Sequence, residues 1–90
     1  MYNQNELNKI IGENIKYYRE LFNVGKQRSM RITQEKLAEL AEVSTSLIGN
    51  MESGKTNQGI SVYTLYKISL ILNVSIDNFL IPISEKASFH

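Results

Sequence analysis

Two short segments with helical apolar spacing, separated by a tight break, lie near the middle of the chain. Thr33 and Ser44 each precede one segment, and both are residue types whose hydroxyl caps a helix. The expected buried faces are Leu37, Ala38 and Ala41 in the first segment, and Leu47, Ile48 and Met51 in the second. Two helices joined so closely must cross at a corner, which predicts a helix-turn-helix with Ala38 at the close approach.

The outward face of the second segment carries no charge. Its residues are Thr45, Ser46, Gly49 and Asn50, which are small or rich in hydrogen-bonding groups. A merely solvated helix face normally carries charged side chains. This pattern therefore favours a surface that lies flat against a polar partner.

The stretch from Ile32 to Gly54 resembles the DNA-binding unit of the Cro and phage-repressor family, also called the XRE family. Residues 11–19 are similar to the family's first helix, residues 51–55 to the end of its recognition helix, and residues 64–80 to its fourth and fifth helices. The resemblance implies an all-α, five-helix lambda-repressor-like DNA-binding domain with a helix-turn-helix. It implies a single Cro/C1-type domain over residues 1–90, with a core at about 11–80 and a short tail at 81–90.

Length and composition agree with one small domain. Ninety residues can bury one modest core, and the absence of cysteine excludes disulfides and thiolate metal sites. The N-terminus is polar and no apolar run approaches the roughly 20 residues that span a bilayer, so we expect a cytoplasmic protein with no membrane partner. We expect neither a cofactor nor a metal; His90 is the lone histidine.

The resemblance implies a recognition helix at residues 44–53 that enters the major groove of double-stranded DNA. The expected base- and groove-facing residues are Ser44, Thr45, Ser46 and Asn50, with Gly49 permitting close approach. The expected phosphate contacts are Gln34, Lys55, Thr56 and Asn57. Asparagine can pair with adenine and a threonine methyl can touch thymine, so we expect a half-site that favours A·T.

An ion pair is also implied by the resemblance. An arginine at the end of the family's first helix binds the glutamate at the end of the recognition helix, and Arg19 and Glu52 occupy these positions. A guanidinium can hold a carboxylate through two hydrogen bonds. We expect this pair to fix the recognition helix to the rest of the domain; the alternative is two solvated charges.

Two departures from the family pattern stand out. The loop at residues 23–31 is longer than usual, and its Arg28 and Arg31 can either follow the phosphate backbone or belong to a mobile insertion. Glu42 stands where the family usually has glycine in a left-handed conformation, which a side chain opposes by roughly 1 kcal/mol.

The flanking segments complete the predicted helices. Asn3 or Asn5 can cap a first helix that ends near Phe22, and Gly12 within it marks either close packing or a tolerated weak position. Its expected apolar stripe is Leu7, Ile11, Ile15, Tyr18 and Phe22. Ser61 is predicted to cap a helix with a stripe of Val62, Leu65, Ile68 and Leu72, and Ser75 a last helix that buries Ile76, Phe79 and Leu80 before Pro82. The tail beyond is expected to be frayed or to form a dimer seam.

The resemblance implies a sequence-specific repressor, and because one module gives a small interface we expect it to bind a near-palindromic operator as a homodimer. The alternative is a protein-interaction module of the same fold, antitoxin-like or antirepressor-like, which the net charge of +1 favours. An enzyme is not indicated, because Ser44 and Ser46 lack a general base and the carboxylates have the spacing of solvated helix faces. An RNA-binding role is disfavoured because no aromatic stacking surface is evident.

Overall fold

Five α-helices and two short 3-10 helices form the part of the chain that the computed structural model describes, residues 1–55 and 59–87. The α-helices are α1 (Gln4–Asn23), α2 (Gln34–Ala41), α3 (Thr45–Ser53), α4 (Val62–Leu72) and α5 (Ile83–Ala87). The 3-10 helices are Arg28–Met30 and Ile76–Leu80. The all-α prediction is confirmed. Among the described residues, no helix combines the length and the hydropathy required to cross a bilayer.

Side-chain caps begin four of the helices. Asn3 and Glu6 form a reciprocal capping box at the start of α1, and Thr33 accepts a hydrogen bond from the backbone N–H of Lys36 at 3.0 Å. Ser44 and Ser61 cap α3 and α4 in the same way. The cap predicted at Ser75 is wrong, because its hydroxyl donates to the Asp77 carboxylate and not to the backbone.

The core lies where α1, α2, α3, α4 and the second 3-10 helix meet. Its fully buried large side chains are Ile15, Leu37, Ile48, Met51, Ile68 and Phe79. Gly12 of α1 lies against the backbone of α3, where an added Cβ would be 1.9 Å from the carbonyl oxygen of Met51. Of the two interpretations of Gly12, close packing is therefore confirmed, and it sets the distance between α1 and α3.

Two residues predicted to be buried are exposed. Val62 begins α4 on its outer side, because the first buried positions of that helix are Thr64 and Leu65. Leu80 is also exposed, because residues 76–80 form a 3-10 helix and not the predicted α-helix. With three residues per turn, that segment directs Phe79 fully into the core and leaves Leu80 at the surface.

Of the two alternatives for the tail, a frayed end is wrong up to Ala87, whereas a dimer seam stays a prediction. This segment contains α5, which packs on α1. The fully buried Asn14 of α1 donates through Nδ2 to the carbonyl oxygens of Phe79 and Ile81, both at 2.9 Å. Lys86 of α5 donates to the other end of the same amide, at Asn14 Oδ1. Burial lowers the pKa of Lys86. The Lys86 ammonium also lies over the ring of Tyr18, a contact that favours its charged form.

Candidate nucleic-acid interface

The turn between α2 and α3 is short because Glu42 adopts the left-handed conformation, with φ 60° and ψ 42°. Its N–H donates to the carbonyl oxygens of Ala38 and Glu39, and the N–H of Val43 donates to Ala38 at 3.0 Å. These bonds satisfy carbonyls at the end of α2 and reverse the chain at once. Ser44 can then cap α3 directly, which fixes how the two helices cross.

Glu42→Gly is expected to raise the free energy of unfolding by up to about 1 kcal/mol, because glycine adopts the left-handed conformation without a steric penalty. The substitution also removes an ion pair with Lys67, at 3.7 Å, but the Glu42 carboxylate is exposed and such pairs contribute only about 0–1 kcal/mol. Glu42→Gln is the matched control, since it removes the charge and keeps the strain. Thermal unfolding of both variants is the measurement. A Glu42→Gly protein that melts below Glu42→Gln would contradict a strained turn.

The exposed side of α3 forms what we call the reading face: Ser44, Thr45, Ser46, Gly49 and Asn50. The four polar residues are exposed, whereas Gly49 is partly covered. An added Cβ at Gly49 would lie 3.5 Å from Gln34 Oε1, an ordinary contact distance. The structure thus brings all five predicted residues to one uncharged surface.

Three polar side chains from three helices hold the end of α3. The guanidinium of Arg19 donates from Nε to Glu52 Oε2 at 2.7 Å and from a terminal nitrogen to Oε1 at 2.9 Å. Gln34 donates to the same Oε1 at 2.9 Å. The Glu52 side chain is only 2% exposed and that of Arg19 14%. We call this group the Arg19–Glu52–Gln34 cluster; its three direct hydrogen bonds satisfy the buried carboxylate.

The hydrogen bond to Glu52 raises the pKa of Arg19 above its already high ordinary value, against the opposing effect of burial. The guanidinium is therefore always charged, and it also donates to the carbonyl oxygen of Ile32 at 3.3 Å. One cation thus connects α1, the entry to α2 and the end of α3. The pairing expected from the sequence is present, with Gln34 as an additional partner.

A small polar cleft of about 130 Å³ lies between this cluster and the reading face. Lys16, Gly49 and Ser53 contribute to its walls beside the three cluster residues. Lys16 is exposed and was absent from the predicted site. The signal was its position three residues before Arg19, which places both on one side of α1. The cleft thus adds a cation next to the amide of Gln34.

The loop before α2 is tied to the domain at both ends. The Asn23 side chain accepts from the N–H of Ile32 at 2.7 Å and donates to its carbonyl oxygen at 2.9 Å. Arg31 donates to the carbonyl oxygen of Lys26 at 2.9 Å, and the ammonium of Lys26 lies over the ring of Phe22. Arg28 is exposed in the first 3-10 helix. Of the two predicted cations, Arg31 therefore helps to shape the loop, whereas Arg28 faces solvent.

The predicted contacts after α3 are only partly described. Gly54 ends the helix in a left-handed conformation, and the N–H of the exposed Lys55 donates to the carbonyl oxygen of Asn50 at 3.3 Å. Lys55 therefore begins its segment directly beside the reading face. Thr56 and Asn57, also predicted to contact phosphate, lie outside the described residues.

Acidic side chains are kept off the reading face. Glu35 and Glu39 are exposed on α2, where Glu39 pairs with Lys36 at 3.4 Å.

Within residues 1–55 and 59–87, no three histidine, cysteine, aspartate or glutamate residues lie close enough together to hold a metal ion.

Comparison with known proteins gives one family and one fold. A family model described as "Helix-turn-helix" matches residues 27–79. The crystal structure of a hypothetical transcription factor, NHTF, from Neisseria is similar with a TM-score of 0.66, over 100% of this chain and 92% of that one, at 19% sequence identity. At that identity the likeness shows the fold alone. No curated protein matches the sequence significantly.

Proposed function

The chain belongs to the Cro/C1-type helix-turn-helix family of DNA-binding transcriptional regulators, and from this premise we propose that it is a repressor that binds a near-palindromic operator as a homodimer. Helix α3 is the reading helix in this proposal. Binding over an operator would block access of the transcription machinery to the promoter.

The observation that carries the proposal is an uncharged reading face on a firmly held helix. The face consists of hydroxyls, one amide and one glycine, and the Arg19–Glu52–Gln34 cluster fixes α3 at its far end. Groups that donate and accept hydrogen bonds distinguish bases in the major groove only when the helix that presents them is rigid. A helix face that only contacts solvent would not require the Arg19–Glu52–Gln34 cluster to fix its position.

The chemistry of the face favours a half-site rich in A·T. Asn50 can make two hydrogen bonds to adenine, and the methyl group of Thr45 can contact that of thymine. Arginine and lysine, which commonly contact guanine, are absent from the face. Lys16 lines the cleft beside the face, Lys55 follows α3, and Arg28 is exposed in the loop before α2. In this proposal these cations contact phosphates and set the register of the protein on the duplex.

The small size of the reading face supports a dimer. One small module contacts few base pairs, so specific sites usually combine two half-sites about one helical turn, or roughly 34 Å, apart. A two-fold dimer matches a near-palindromic operator because each copy meets the same sequence. Binding should weaken with salt, since each neutralised phosphate releases counterions.

Selection of sites from random duplex DNA at two salt concentrations tests the proposal. The wild type is expected to enrich a palindrome. Asn50→Ala is expected to bind that site about 10- to 100-fold less tightly and to lose preference at one position of each half-site, the usual effect of removing a bidentate base contact. Asn5→Ala, the same change at an exposed position on α1, is the matched control and should bind as the wild type does.

Failure of the wild type to enrich any motif at either salt concentration would overturn sequence-specific binding. It would favour the second candidate, a protein-interaction module of the same fold. The net charge of +1, low for a nucleic-acid-binding domain, supports that candidate. Enrichment of a single half-site without its symmetric partner would instead retain DNA reading and reject the dimeric operator.

A further inference from the structure

Helix α4 is apolar on all sides. Its eleven residues include a single charge, Lys67, and no acid. The inner side packs on α1, α2 and the second 3-10 helix through Leu65, Ile68 and Leu72. A helix that is apolar all round is normally buried all round. The opposite side of α4 is therefore an unusual surface for a soluble domain.

We call that opposite side the outer face of α4: Val62, Tyr63, Tyr66 and Leu70. These side chains are 78%, 66%, 49% and 62% exposed. Helical geometry places all four within an arc of about 100°, since successive residues are rotated by about 100°. At about 150–250 Å² for a fully exposed large side chain, the face presents roughly 450 Å². None of the four belongs to the reading face.

A groove adjoins this face at the C-terminal end of α4. Tyr66, Ser69 and Leu70 of α4 line it together with residues 73–76, which lead into the second 3-10 helix. Its volume is about 370 Å³, enough for an aromatic side chain. Tyr63 projects from the other end of the same face, seven residues from Leu70, or about 10 Å along the helix axis. The surface thus carries a protruding ring and a groove in line with each other.

We propose that the outer face of α4 is the dimer interface, with two copies of α4 packed antiparallel about a two-fold axis near Tyr66. This arrangement inserts Tyr63 of each copy into the groove of the other, because positions equally far from Tyr66 on either side then oppose each other. A second copy is the partner that fits, because a two-fold rotation brings the Tyr63 ring of each copy opposite the groove of the other.

The charges on α4 agree with this pairing. The Lys67 ammonium lies 4.8 Å from the ring centroid of Tyr63 and 3.7 Å from the Glu42 carboxylate of its own chain. It therefore supports the projecting ring from the side, and its charge is already paired within the monomer. Two copies can approach without placing unpaired like charges in the contact.

The area also sets the strength of the dimer. Two faces would bury roughly 900 Å², below the 1,200–2,000 Å² of stable complexes. The inference rests on the proposed function for the rest of the free energy of association, because an operator with two half-sites binds both copies at once. We therefore expect a dissociation constant above about 1 µM without DNA and cooperative binding to a full operator.

Sedimentation equilibrium over a concentration series tests the interface without DNA. The wild type is expected to be in monomer–dimer exchange, and Leu70→Glu to weaken association at least tenfold by placing a carboxylate in the apolar contact. Leu21→Glu, the same change at an exposed position of α1, should associate as the wild type does. A wild type that stays monomeric at millimolar concentration, or a Leu70→Glu variant that dimerises unchanged, would overturn the inference.

A cysteine provides a second measurement that does not depend on Leu70→Glu folding. The natural chain has no cysteine, so Tyr66→Cys creates a single thiol near the proposed axis. Facing helices bring their Cα atoms within the 4.4–6.8 Å that a disulfide requires. Mild oxidation should give covalent dimers of Tyr66→Cys and few of Leu21→Cys. Equal yields from the two variants would contradict the inference.

Binding to DNA separates this inference from the proposed function. Leu70→Glu should bind an isolated half-site as the wild type does and lose only cooperativity on the full operator. If the wild type binds half-sites but remains monomeric and shows no cooperativity, the interface is wrong and DNA reading stands. If it dimerises through α4 but selects no DNA sequence, the interface stands and the proposed function fails.

Discussion

Gly12→Ala is expected to lower the free energy of unfolding by about 3 kcal/mol or more, which corresponds to a fall in melting temperature of roughly 12–24 °C for a domain of this size. Helix propensity alone predicts the opposite, since alanine stabilises a helix interior by about 1 kcal/mol relative to glycine. The added Cβ, however, would lie 1.9 Å from the carbonyl oxygen of Met51 and 2.7 Å from its carbonyl carbon. Backbone atoms cannot rotate away, so α1 and α3 must separate.

Gly49→Ala provides the matched control. Gly49 also lies within a helix, but the nearest atom to an added Cβ is 3.5 Å away, at the end of the Gln34 side chain. This variant should gain up to about 1 kcal/mol from helix propensity. Urea unfolding of both proteins measures the contrast. A Gly12→Ala protein as stable as the wild type would mean that the two helices can part without loss of packing.

Breaking the Arg19–Glu52 pair should have a comparable effect. Arg19→Met leaves the nearly buried Glu52 carboxylate without its cation, and Glu52→Met leaves the guanidinium without its anion. Each is expected to cost about 3–5 kcal/mol, the usual result of stranding a buried charge. The double variant strands neither charge, so it should lose less than the sum of the two, with a coupling of about 2–3 kcal/mol in a double-mutant cycle.

The exposed pair of Lys36 and Glu39 serves as the control cycle. Its side chains are well exposed and its atoms are 3.4 Å apart, so the coupling should be below about 0.5 kcal/mol. Additive losses at Arg19 and Glu52 would show that the pair does not hold α3. The same variants should weaken operator binding beyond their effect on stability, because a loosened reading helix presents its side chains less accurately.

The predictable parts of this fold are those set by residues close in sequence. Helix starts at Asn3, Thr33, Ser44 and Ser61 follow from a cap and its partner three residues later, so the pattern is visible without the fold. The reading face was predictable for a related reason, since α3 has one apolar side and the other side must face outward.

The errors arose where local patterns allow two answers. Because α4 is apolar all round, its spacing fits two different buried faces, and Val62 was assigned to the wrong one. Lys16 joins the site because α1 packs on α3, so its spacing from Arg19 becomes informative only once Arg19 is known to lie there. The phosphate contact of Gln34 stays a prediction, and its bond to Glu52 could not be predicted because that bond depends on how α2 and α3 cross.

The buried amide of Asn14 links parts of the chain that are far apart in sequence. It binds the carbonyls of residues 65 and 67 positions further on, and Lys86 completes its set of partners. If α5 and the residues just before it detached, the Asn14 amide would lose its hydrogen bonds while still buried among apolar side chains. The last segment is therefore no appendage: its release and the loosening of the first helix belong to one cooperative opening, and the two ends of the domain should exchange their amide hydrogens together.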